Sequence, residues 1–211
     1  MNICFDLDGT LLDVSNRHYH VYAQAVEWLH GKPLTKRRYW ELKRRHTEVP
    51  RLLVESSLDP EVASSYMQRF VEQIETPRML AKDRLIVGTK ASLKELSGSH
   101  SLYLVSLRRS QSNLGNQLRQ LDIEQYFDRI LVGHTDGEPY KKKLELIRRL
   151  PNFGEGIVVG DTEADIVAAK RLNLRAVAVR SGVRNGEYLN GLDADFVLDG
   201  IRELPELVSR L

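Results

Sequence analysis

Short apolar runs alternating with helical patterns, from residue 89 onward, constrain this chain more than any other feature. Runs at 101–105, 129–132, 156–159, 175–179 and 195–198 have the length of strands buried on both faces, and are too short for amphipathic helices. Helical patterns at 89–96, 112–121, 143–150 and 163–172 fall between them. A further apolar run, residues 2–5, opens the chain. Strand–helix–strand repetition of this kind predicts an α/β fold, a Rossmann-like parallel sheet with helices on both faces. Ligands of such sheets bind at the carboxyl ends of the strands, near the point where strand order reverses. The residues that follow the strands are therefore the ones to read for chemistry.

Residues 14–76 break the alternation. They hold helical patterns at 16–30, 36–45 and 60–75, punctuated by Gly31, Pro33, Pro50 and Pro60, and no convincing strand. The expected organisation is a core of residues 1–13 and 77–211, interrupted by an inserted helical subdomain at 14–76. Trp28 and Trp40 fall at helix-packing positions and are expected to pack, not to present a stacking platform.

Composition closes off several classes. With 42% hydrophobic and 28% charged residues, the 211-residue chain can bury a sizeable core. A net charge of +2 gives no general case for nucleic acid or a membrane surface. No run approaches the ~18 apolar residues of a membrane helix. Acids at Asp6 and Asp8 make a secretory leader unexpected, and the single cysteine, Cys4, has no partner for an internal disulfide. A cytoplasmic protein is expected.

Four strand ends carry polar groups. After the first run comes Asp6-Leu7-Asp8-Gly9-Thr10. On continuing strand geometry both carboxylates point one way, and a divalent cation is the usual remedy for their repulsion. Gly9 allows the sharp turn that follows. After 101–105 comes Ser106, with Arg108 and Arg109 close behind; a hydroxyl and helix-opening N–H groups there can hold a phosphate oxygen or simply cap a helix. Lys141-Lys142-Lys143 precede an apolar helix, and three adjacent lysines cannot all face one site. Finally, Gly160-Asp161 ends a strand and Asp165 follows four residues on, along a similar helical face.

In this order, Asp6-Leu7-Asp8-Gly9-Thr10, Ser106, a lysine and Gly160-Asp161 with Asp165 resemble the four motifs of the haloacid dehalogenase superfamily, and the insertion resembles the helical cap many members carry. One departure stands out. Members often have lysine followed by proline at the third motif, whereas here Pro139 precedes the lysines. An apolar face of Leu146, Ile147 and Leu150 favours Lys143 as the motif lysine, with Lys141 the runner-up.

The resemblance implies a magnesium-dependent phosphatase. Asp6 would be the nucleophile and form an aspartyl-phosphate. Asp8 would be the general acid and base, and an aspartate there favours phosphoryl transfer over C–halogen cleavage. Mg²⁺ would be held by Asp6, the Asp8 backbone carbonyl and Asp161, with Ser106 and Lys143 on the phosphate and Thr10 and Asp165 in support. A small phosphorylated metabolite is the expected substrate, with specificity set by the cap, where Arg17, His18, His20 and Tyr22 are the candidates. The cap also carries eight Lys/Arg against two Glu between Lys32 and Arg51. A solvated helix face explains that excess, as does attraction of an anionic metabolite. A phosphomutase, a nucleic-acid-end phosphatase using that basic stretch, and an inactive binding module on the same fold are the competing readings.

Overall fold

A computed structural model describes residues 1–134, 137–151 and 154–211. The chain divides into two compact units, Met1–Asp13 with Arg84–Leu211, and Val14–Asp83.

The first unit is built on a six-stranded parallel sheet of β1 (Asn2–Phe5), β4 (Ser101–Ser106), β5 (Arg129–Val132), β6 (Gly156–Gly160), β7 (Arg175–Val179) and β8 (Phe196–Leu198), in the order β5-β4-β1-β6-β7-β8. These are the apolar runs of the sequence; the interiors of β1, β4, β6 and β7 are buried, and the edge strands β5 and β8 are half-buried. Alternation puts Cys4 on the opposite face from Ile3 and Phe5. Cys4, Tyr103, Val105, Val158, Ala176 and Ala178 share one buried cluster with Leu146 and Ile147 of helix Pro139–Arg148 and Ile166, Ala168 and Ala169 of helix Glu163–Arg171. After β5 the chain crosses to the far side of β1, so strand order reverses about β1. The carboxyl ends of β4, β1 and β6 thus lie side by side.

Two features of this unit escape the apolar pattern. Two-residue strands, β2 (Leu12–Asp13) and β3 (Arg84–Leu85), pair antiparallel, Leu12 with Leu85 and Asp13 with Arg84. They clip together the points where the chain leaves and rejoins the core. Helix Pro139–Arg148 also begins four residues earlier than the 143 expected, because Pro139 takes a first-turn position where its missing N–H costs nothing.

The second unit is helical: Ser15–Trp28, Lys36–Arg44, Val49–Glu55, Ala63–Ile74 and Pro77–Leu80. Its own core joins Tyr22, Ala25, Val26, Tyr39, Leu42, Leu53 and Tyr66. Tyr22 and Tyr39 stack at 4.2 Å between ring centroids, a contact worth ~0.5–1.5 kcal/mol beyond burial. The unit runs to Asp83, past the expected limit at residue 76. Helix Pro77–Leu80 packs on Ser15–Trp28, and the buried Arg17 Nε donates to Asp83 Oδ1 at 3.0 Å, tying the start of the unit to its end. Trp40 packs at the edge of the core, but Trp28 is 54% exposed and lies under the Arg69 guanidinium, contrary to the packing expected of it. No helix among the described residues is long and apolar enough to cross a membrane.

Candidate active site

The three adjacent strand ends supply the site. Asp6 leaves β1 with its backbone N–H still bonded to the Val159 carbonyl at 2.9 Å, so its position is fixed by the sheet. Its carboxylate is 8% exposed, and Oδ1 lies 2.7 Å from Lys143 Nζ. Lys143 Nζ also bonds Asp165 Oδ1. The other oxygen of Asp165 accepts from the Thr162 N–H at 3.2 Å and hydroxyl at 2.7 Å, which pins the first turn of helix Glu163–Arg171. Lys143 is thus the lysine brought to the acids. It shares a helix face with the buried Leu146 and Ile147, whereas Lys141 pairs with Glu138 at 2.5 Å and Lys142 with Glu145 at 2.8 Å.

Asp161 is fully buried. The Thr10 hydroxyl donates to its Oδ1 at 3.1 Å, and the Val183 N–H to its Oδ2 at 2.6 Å. Two glycines make room for it. A Cβ on Gly9, whose φ is +88°, or on Gly182 would lie 2.1 Å from Asp161 Oδ2. Gly9 is therefore required twice over, by its left-handed backbone and by the carboxylate beside it.

Oxygens of Asp6, Asp161 and Asp165 all lie within 4.8 Å of one another. Burial pushes the Asp6 carboxyl up to about 7, against the pull of Lys143 and with further upward pressure from Asp165 and Asp8. Burial, then Asp6 and Asp165, raise Asp161 well above the ordinary carboxylate range. For Lys143, burial opposes the charge, but Asp165 and Asp6 outweigh it and raise the ammonium. Three buried carboxylates meet one ammonium, an excess of negative charge that a hard, oxygen-preferring divalent cation fits.

A pH dependence follows. Between the ordinary 3.8 and about 7 the folded Asp6 holds a proton that the unfolded chain has released. In that window the native state binds more protons, so this group's contribution to stability falls as pH rises. A cation that neutralises the cluster should therefore stabilise the protein more at pH 8 than at pH 5. Thermal unfolding midpoints with EDTA and with Mg²⁺ at both pH values measure this, and an equal increment at both would contradict it.

Asp8 takes a different partner from Asp6. Its two oxygens meet Arg108, Nε to Oδ2 and Nη2 to Oδ1, each at 2.5 Å. The strand has ended by then, so the shared direction expected from strand geometry does not bring both carboxylates to one partner. Ser106 is buried at the carboxyl end of β4, in register with Val132 of β5. Arg184, which donates to both oxygens of Glu163 at 2.8 and 2.7 Å, brackets the Asp161 loop. Sequence reading gave neither Arg108 nor Arg184 a role, and the Val183 N–H leaves no trace in a sequence.

Within the helical unit, Arg17 is buried against Asp83. The Tyr22 hydroxyl is 2.7 Å from Ser56 Oγ and accepts from the Leu34 N–H at 2.9 Å. Both side chains are thus engaged in contacts within the unit. His18 lies among Trp40 and Phe70, with ring centroids 6.2 and 5.8 Å away, and His20 Nδ1 is 2.7 Å from the Asn16 carbonyl.

The haloacid dehalogenase-like hydrolase model matches residues 3–179, and the chain belongs to that family. Among its relatives are a pyrophosphatase PpaX of Bacillus mycoides, 25% identical over 99% of this chain and 97% of the relative, and a phosphoglycolate phosphatase of Vibrio parahaemolyticus, 25% identical over 98% and 95%. A haloacid dehalogenase-like family hydrolase of Streptococcus pneumoniae shares the fold with a TM-score of 0.74 at 21% identity, covering 98% of this chain and 97% of that one.

Proposed function

We propose that this hydrolase cleaves phosphate monoesters of small metabolites through an aspartyl-phosphate on Asp6, with Mg²⁺ as cofactor. The observation that carries the reading is the buried meeting of Asp6 with Lys143 and Asp165, beside Asp161, at adjoining strand ends. Relatives named as phosphatases support it.

Asp6 attacks phosphorus in line, and the bond from phosphorus to the ester oxygen breaks. Asp8 gives its proton to that oxygen. A water then attacks the phosphoryl group, passing a proton back to Asp8, and the bond to Asp6 breaks to release inorganic phosphate. Lys143 and Ser106 hold the phosphoryl oxygens throughout, since this chemistry depends mainly on positioning and charge. Asp165 and Thr162 keep Lys143 and its helix in place. Asp6, Asp161 and the Asp8 backbone carbonyl would hold the Mg²⁺, while Thr10 and Val183 orient Asp161. When bound, the cation would neutralise the carboxylates and the charge that develops on the phosphoryl group. The helical unit serves as the cap that selects the metabolite. A cytoplasmic setting belongs to the same proposal, in keeping with the single cysteine, Cys4, buried in the sheet.

The test is release of inorganic phosphate from a panel of phosphomonoesters. Activity should vanish in EDTA and return with Mg²⁺. Full activity in EDTA would contradict the site, and turnover without released phosphate would point to a mutase.

A further inference from the structure

Arg108 follows β4 by two residues, and its side chain is 4% exposed, while the Asp8 carboxylate that it grips is 27% exposed. Nη2, which donates to Asp8 Oδ1, also donates to Gln117 Oε1 at 3.3 Å, on helix Gln111–Gln120, a second contact that holds the guanidinium. A buried cation is thus covered by an accessible carboxylate. That carboxylate is the one assigned to the leaving oxygen. If Asp8 turns to serve it, the guanidinium loses a bidentate, charge-assisted pair, and breaking a buried ion pair from one side is strongly unfavourable. Another anion in the same fork removes that penalty, and the planar guanidinium matches carboxylate and phosphate oxygens alike.

Building on the phosphatase reading, we propose that Arg108 is a specificity-determining residue. It binds a second anionic group, carboxylate or phosphate, carried by the leaving group close to the ester oxygen, and exchanges Asp8 for it. Gln117 holds the guanidinium in orientation through the exchange. Binding of a doubly anionic substrate and release of Asp8 toward the leaving oxygen are then one event. An ester with a neutral leaving group offers nothing to take the place of Asp8.

The experiment compares kcat/KM for phosphoglycolate and inorganic pyrophosphate with that for hydroxyethyl phosphate, which lacks the second anion. It uses the full chain with Mg²⁺, as wild type, Arg108→Gln and Arg108→Lys, with p-nitrophenyl phosphate as a general reporter. Wild type should prefer at least one of the two anionic substrates by roughly 10- to 100-fold, the span expected of a charge-assisted hydrogen-bonded contact. Arg108→Gln should erase that preference, and Arg108→Lys should recover part of it by keeping the charge without the fork. No preference in wild type, or an undiminished one in Arg108→Gln, overturns the proposal. Should circular dichroism show Arg108→Gln unfolded, Arg108→Lys decides: a reduced preference supports the proposal and an unchanged one overturns it. Failure of wild type to release phosphate from any of the four compounds would instead defeat the phosphatase reading, and this proposal with it.

Discussion

Asp6→Asn should lower turnover by at least ~10⁴-fold, the scale seen when a covalent nucleophile is removed, and leave a folded protein. The amide keeps the size of the side chain, and the backbone bond to Val159 does not depend on it. Lys143 keeps Asp165 as a partner. The ionised Asp6 is disfavoured by burial and by neighbouring acids, so the metal-free variant should be at least as stable as wild type above pH 7. Stability and activity are thus expected to move apart. Urea unfolding in EDTA at pH 8, alongside steady-state rates with Mg²⁺, reads both. A variant that loses activity because it unfolds would say nothing for Asp6 as nucleophile, and one that retains measurable turnover would speak against it.

Lys143→Ala should move both quantities together. The change removes the ammonium from a group of three buried carboxylates, and breaking a buried ion pair from one side costs about 3–5 kcal/mol. Mg²⁺ should recover part of that stability by supplying positive charge, but little of the activity. A lost electrostatic contact to the transferring group is worth ~10²–10³-fold in rate. Lys141→Ala and Lys142→Ala remove side chains paired with the exposed Glu138 and Glu145 and should change neither quantity appreciably. Denaturation midpoints and kcat for the three variants decide it, and a Lys141→Ala protein more impaired than Lys143→Ala would place the phosphate-binding lysine elsewhere.

Much of the core was legible because its strands are mostly apolar. Residues 129–132 and 175–179 form strands at the limits the runs suggest, each an apolar stretch opened by an arginine, Arg129 and Arg175, that is exposed at the strand's start. β2 and β3 have two residues each, too few for any period, and are set by closure of the insertion. Helix Val49–Glu55 went unseen because Pro50 reads as a breaker, yet it occupies the first turn, where proline is tolerated. The choice of Lys143 over its neighbours rested on register, and the burial of Leu146 and Ile147 reproduces that register. The partner of Asp8 was not legible. Arg108 lies 100 residues away, and nothing local distinguishes it from Arg109. The structural partners of Arg17 and Tyr22 were not legible either. Their partners, Asp83 and Ser56, come from other parts of the fold.

The central claim is that Asp6 becomes phosphorylated during turnover. The direct measurement is intact-protein mass on rapid quenching of wild type mixed with Mg²⁺ and p-nitrophenyl phosphate, followed by peptide mapping of any modified species. Asp8→Asn is included because it should slow the hydrolytic step that needs a base and let the intermediate accumulate. The account predicts a single added phosphoryl group on the peptide containing Asp6, larger in Asp8→Asn and absent in Asp6→Asn. Phosphate on another residue, or a phosphorylated Asp6→Asn protein, would contradict it.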